Sequence, residues 1–181
     1  MRELIDAIER VRERIKKYGD KLNKNEMLTR YVLVDPILRA LGWDTENPDQ
    51  VVPEPITETG RPDYALIHNG EKLIMVEVKS LKSDLKKARE DGFKYCWKNK
   101  VPFYIITDGD DWELHDLREM GGKEIFRVRL STDSPGDIAR HLLAICYPAM
   151  PELKPAPKSV LDIYPTTQNT NLYQPPKNYY H

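Results

Sequence analysis

The string GRPDYALIHNGEKLIMVEVKS, residues 60–80, sets three charges into two runs that are otherwise apolar on both faces. Tyr64, Leu66, Ile74, Val76 and Val78 are expected to point one way and Ala65, Ile67, Leu73 and Met75 the other, so both runs belong inside a sheet. Asn69 and Gly70 supply the turn between them. Asp63, Glu77 and Lys79 are then charges set among apolar neighbours, which is costly unless they are paired or hold a metal. A surface salt bridge from Lys79 to an acid on an edge strand is the plainer account, and the flanking apolar runs argue against it.

Register decides whether the three residues meet. A two-residue Asn69-Gly70 turn without further irregularity sets Pro62 opposite Glu77 and sends Asp63 to the other face. A three-residue loop of His68, Asn69 and Gly70, with Gly70 in a G1 bulge, sets Asp63 opposite Met75 and brings Asp63, Glu77 and Lys79 to one face. The expectation is this second register, or a bulge of equal effect near Asp63. Two carboxylates on adjacent strands make a hard-oxygen site suited to Mg²⁺. Such a metal serves phosphodiester hydrolysis, and a nearby lysine can orient the nucleophile or offset developing charge.

Elsewhere, Leu4, Ile8, Val11, Ile15 and Tyr18 describe an amphipathic helix stopped by Gly19. A second helical stretch from Asn25 meets Asp35 and Pro36, where it is expected to kink or restart, and ends at Gly42. Strands are expected at 51–54, 62–67, 72–79, 101–107, 112–117 and 124–130. Helices are expected at 84–99, with Ser83 as cap and Gly92 as a weak point, and from Ser134-Pro135 to Tyr147. The order implies an α/β sandwich, a central mixed sheet flanked by helices. Residues 1–147 form this domain. Residues 148–181 hold seven of the 14 prolines without periodicity and read as an extended tail. The tail is either a loose terminus or an arm that packs through Tyr164, Tyr173, Tyr179 and Tyr180.

A net charge of −1 excludes indiscriminate coating of nucleic acid. Lysines and an arginine nevertheless crowd the stretch after Lys79, where Lys82 and Lys86 are candidate phosphate contacts; a solvated helix face is the competing account. No run is long and apolar enough to span a bilayer, and the start MRELIDAIER lacks a signal-peptide core, so the expected location is cytoplasmic. Cys96 and Cys146 lack metal or disulfide spacing and are expected to be reduced and structural. His68, His115, His141 and His181 show no site pattern. Asp108, Asp110 and Asp111 lack the closing glutamate of a calcium loop and read as a polar turn.

Pro62-Asp63, thirteen residues, then Glu77-Val78-Lys79 resembles the PD-(D/E)XK nuclease signature. The wider context, NEMLTRYVLVDPILRALGWD, VVPEP, GRPDYALI, VEVKS and YIITDGDDWELHD, resembles the N-terminal nuclease domain of type I restriction enzyme R proteins over about residues 23–118. The resemblance implies a restriction-endonuclease-like sandwich with an αβββαβ core. It implies that Asp63, Glu77 and the Val78 carbonyl bind Mg²⁺, with Mn²⁺ able to substitute, and that Lys79 is the catalytic lysine. It sets Glu26 near the metal, with helix capping beside Asn25 as the alternative. Arg61 would contact phosphate, unless it is a structural surface arginine, and Tyr95 would contact the nucleic acid. The family often carries a glutamine four residues before the tyrosine that Tyr95 matches; here that position is Asp91, an added acid that disfavours phosphate.

These features imply a deoxyribonuclease, an endonuclease of restriction or defence type, acting on DNA. The competing reading is a catalytically weak or inactive nucleic-acid-binding or assembly subunit of the same fold. A homodimer, through the tail, and a separate motor or methyltransferase subunit are the protein partners the resemblance implies; no membrane is expected.

Overall fold

The computed structural model describes residues 1–55, 61–153, 155 and 158–163. Leu4, Ala7, Ile8 and Val11 form the buried stripe of α1 (Arg2–Leu22). The helix runs through Gly19 rather than stopping there, because one further turn buries Leu22, which offsets the roughly 1 kcal/mol cost of a helical glycine. Tyr18, expected on the inner face, remains 38% exposed.

The second helical stretch has three pieces: α2 (Glu26–Thr29), a π turn (Arg30–Val34) and α3 (Asp35–Ala40). Asn25 caps α2 by accepting the Leu28 N–H at 2.9 Å. Pro36 has no N–H for the Val32 carbonyl four residues back, and Arg14 Nη1 donates to that carbonyl instead at 2.8 Å. The Asp35 N–H reaches the Arg30 carbonyl, five residues back. The expected irregularity at Asp35-Pro36 is therefore a widening of the turn before it.

Six strands follow: β1 (Val51–Pro53), β2 (Tyr64–His68), β3 (Glu71–Val78), β4 (Phe103–Thr107), β5 (Asp111–Asp116) and β6 (Lys123–Arg129). They lie in sequence order in one sheet, antiparallel except for the β3–β4 pair. That parallel pair is joined by α4 (Lys86–Lys98), the crossover such a pair requires. β2 and β3 are interior strands, as their two-sided apolar character demands.

The sheet divides two cores. Tyr64, Leu66, Ile74, Val76, Phe103, Ile105, Trp112 and Leu114 pack against α1, α3 and α5 (Pro135–Leu142). Ala65, Met75, Tyr104 and Ile106 pack on α4 through Leu85, Tyr95 and Cys96. The architecture is thus an α/β sandwich around a mixed six-stranded sheet. Gly92 lets α4 lie this close, for a Cβ there would stand 2.1 Å from Cζ of Tyr104. α4 starts two residues later than expected, and Ser83 does not cap it. Its hydroxyl bonds Ser80 Oγ at 2.9 Å, while Asp84 accepts the Lys86 N–H at 3.0 Å.

Packing continues past Tyr147. Leu153 and Val160 are buried in the larger core, and Val160–Ile163 forms a short helix, α6. Tyr164, Tyr173, Tyr179 and Tyr180, like Gly60, lie outside the described residues. Both cysteines are free and buried. No helix among the described residues is long and apolar enough to cross a membrane.

Candidate active site

The hairpin reaches its register by the alternative route, a strand bulge rather than a three-residue loop. His68 pairs with Glu71 across a two-residue turn, with Asn69 and Gly70 at φ 52° and 79°, the positive values a primed turn needs. The three-residue loop is absent. Instead Ile67 pairs with Lys72 but Leu66 with Ile74, leaving Leu73 as a surplus bulge residue. Leu73 therefore joins Ile74 in the larger core, not the opposite face. Beyond the bulge Tyr64 pairs with Val76, and one further step of that register sets Asp63 opposite Glu77.

Asp63 is held at both oxygens. Its Oδ2 accepts the Val78 N–H at 2.7 Å, and its Oδ1 accepts Arg30 Nη1 at 3.0 Å. Lys79 Nζ lies 2.7 Å from Glu77 Oε1 and 3.3 Å from Glu26 Oε2. The first turn of α2 thus meets the end of β3. The Lys79 N–H donates to the Thr107 carbonyl at 2.8 Å, so the backbone beneath the ammonium is fixed by β4.

Arg30 and Glu54 were not foreseen. Arg30, 7% exposed, joins Asp63 to Glu54 Oε1 at 3.2 Å and stacks over Tyr64 at 5.1 Å. Its signal was its place four residues after Glu26, on the same helical face. Glu54 carried no signal. It has φ 44°, unusual for a residue with a side chain, and its N–H donates to the Asp63 carbonyl at 2.9 Å.

Burial raises the Glu77 pKa; Lys79 opposes this, and the charges of Asp63 and Glu26 add to it. For Lys79 burial works against the charge, but Glu77 and Glu26 outweigh it and the pKa rises. Arg30 behaves alike, its charge secured above the ordinary value by Asp63, Tyr64 and Glu54 against the cost of burial. Four carboxylates, Glu26, Glu54, Asp63 and Glu77, thus meet two cations, Arg30 and Lys79. Oxygen donors with two formal negative charges left over fit a hard divalent cation.

A groove of about 440 Å³ opens beside Glu77 and Lys79, lined also by Arg61, Lys87, Asp91, Tyr95 and Tyr104. Lys82 and Lys86 are exposed and do not line it; Lys87 does. Asp108 holds the Lys82 N–H at 2.7 Å and accepts the Asp110 and Asp111 N–H groups, which makes the DGDD segment a tied polar turn. Asp91 is exposed and pairs with Lys94 at 3.3 Å.

A second cluster, Glu113, His115 and Glu124, has the geometry to hold an ion, with ligand atoms within 4.8 Å of one another. Arg89 Nε at 2.8 Å, Arg127 Nη2 at 3.0 Å and His115 Nε2 at 3.0 Å already surround the Glu113 carboxylate. Those arginines supply the charge a metal would bring, so this is an ion-pair cluster.

Residues 50–122 match the family described as type I restriction enzyme R protein N terminus. The matched span holds Asp63, Glu77, Lys79 and Tyr95; Glu26 and Arg30 lie outside it. Among solved structures, the chain is similar to a fragment of a putative HsdR subunit of a type I restriction enzyme from Vibrio vulnificus YJ016, at 20% identity and a TM-score of 0.46, covering 62% of this chain and 24% of that one. It is also similar to a chain of the DrdV-DNA complex, at 18% identity and a TM-score of 0.48, covering 75% of this chain and 13% of that one. The chain therefore spans about a quarter or less of the length of these structures. No curated protein matches it.

Proposed function

We propose that this chain, which over residues 50–122 resembles the N terminus of type I restriction enzyme R proteins, is a Mg²⁺-dependent deoxyribonuclease, an endonuclease of restriction type. The observation that carries the reading is the meeting of Glu77, Lys79 and Glu26 beside the groove that Glu77 and Lys79 line, with Asp63 set opposite Glu77 by the bulge at Leu73. A metal held by Asp63, Glu77 and the Val78 carbonyl, with Mn²⁺ as a substitute, would polarise the scissile phosphate and acidify a water. Lys79, fixed between Glu77 and Glu26, would orient that water and offset charge on the phosphate oxygens. Arg61 and Lys87, and more distantly Lys82 and Lys86, would meet the DNA backbone, while Tyr95 and Tyr104 shape the groove wall.

Asp91 and Asp84 on the same wall favour a second reading, a subunit that binds DNA without efficient cutting. In either case a homodimer through the tail, or a separate motor or methyltransferase subunit, would complete the assembly. The test is cleavage of plasmid, linear duplex and single-stranded DNA with Mg²⁺, Mn²⁺ or EDTA, comparing wild type with Asp63→Ala and Lys79→Ala. Metal-dependent cutting lost in both variants is the expected result. Folded protein that binds DNA but never cuts would leave the binding subunit.

A further inference from the structure

Arg30 is the most buried lysine or arginine among the described residues, yet its Nε has no hydrogen-bond partner, so the side chain is not placed there to satisfy its own donors. One terminal nitrogen serves both acids, Asp63 Oδ1 at 3.0 Å and Glu54 Oε1 at 3.2 Å. The backbone on both sides is distorted to allow this: Arg30 begins the π turn, and Glu54 sits at φ 44°. The other half of the site has the same construction, with Lys79 bridging Glu77 and Glu26. Each cation is thus shared by two carboxylates, and each half is left with one uncompensated negative charge.

The geometry points to Arg30 as a positioning residue that occupies the place of a second metal, so that the site takes one divalent cation rather than two. The inference rests on the nuclease reading and narrows it to one-metal hydrolysis. The guanidinium leaves Asp63 free to offer a metal only the lone pairs that Arg30 and the Val78 amide do not use. The charge left by the four acids is matched by a single divalent ion. Removing the Arg30 charge creates a deficit of three, which one divalent ion no longer covers.

Mn²⁺ binding by electron paramagnetic resonance and calorimetry tests this on wild type, Arg30→Lys, Arg30→Gln and Glu54→Gln, with circular dichroism confirming the fold. Wild type and Arg30→Lys should bind one Mn²⁺ per chain. Arg30→Gln should bind a second, or bind the first at least about tenfold more tightly as a fixed positive charge leaves. Glu54→Gln, a half-exposed position suited to replacement if Arg30→Gln does not fold, should keep one ion and bind it several-fold more weakly. Two ions in wild type, or unchanged stoichiometry and affinity in the charge variants, would overturn the inference and leave the nuclease reading standing. No Mn²⁺ binding by wild type at any concentration, with the fold intact, would overturn both.

Discussion

Two charged clusters stand two strands apart on the sheet and have opposite electrostatics. At Glu113 one buried carboxylate is surrounded by Arg89, Arg127 and His115. Burial opposes its charge, but His115 and the two arginines prevail and hold its pKa below the ordinary range. At Glu77 burial raises the pKa, and a lysine shared with Glu26 does not offset it while Asp63 adds to it. The first cluster is complete within the chain. The second is short of positive charge, and only such a site gains from a cation delivered from outside.

The largest expected contrast is kinetic. Lys79→Ala should lower kcat for plasmid cleavage by about 10³-fold, whereas Arg127→Ala, in the complete cluster, should change it by less than about twofold. Stability should respond in the reverse sense. Glu113→Gln is expected to cost about 2–3 kcal/mol by urea denaturation, since it leaves two arginines without their shared carboxylate, while Glu77→Gln in metal-free protein should cost nothing and stabilise the chain slightly at neutral pH. Equal losses at both positions would break the comparison.

Added Mg²⁺ separates the clusters in the same way. At a hundredfold excess over its Kd it should stabilise the chain by about 2.7 kcal/mol, and the rise in Tm should vanish in Asp63→Asn but persist in Glu113→Gln. The pH dependence sharpens this further. Glu113, with a lowered pKa, contributes stability above the ordinary value of 4.5 that is lost as pH falls through the folded value. Glu77, with a raised pKa, does the opposite: its contribution is fullest below 4.5 and is lost as pH rises through the folded value. Metal-free melts between pH 3 and 7 should therefore show a shallower acid-side decline in Glu113→Gln, with Asp116 supplying part of what remains, and gain stability at neutral pH in Glu77→Gln. The smallest effect concerns the groove wall: Lys87→Gln should weaken DNA binding a few-fold and reduce the salt slope by about one.

The hairpin, its interior position and the three charges were readable because apolar residues on both faces of two adjacent runs admit few alternatives. How those charges come to share a face was not. Thirteen residues between Asp63 and Glu77 demand an odd correction, and sequence patterning cannot say whether the turn or the strand supplies it. The chain keeps the favoured two-residue turn and puts the surplus at Leu73, where an extra leucine can be buried. Arg30 and Glu54 escaped for a different reason. Pairing across 24 residues leaves no periodicity to read, and a positive φ at a glutamate contradicts its local preference. Lys82 and Lys86 looked adjacent to the site along the chain, but α4 turns Lys87 to the groove instead.

The π turn acts as a phase setting. Glu26 and Arg30 lie on its upstream side, and Leu33, Val34, Ile37 and Leu38, which anchor the helix in the core, lie within it or after it. A helix advances about 100° per residue, so deleting exposed Tyr31 would restore an ordinary turn while swinging both charged side chains a quarter-circle away from Lys79 and Asp63. The anchor residues would keep their seats. A single lost codon would thus part the fold from its chemistry, leaving a sandwich in which Asp63 has lost its arginine and Lys79 one of its two acids.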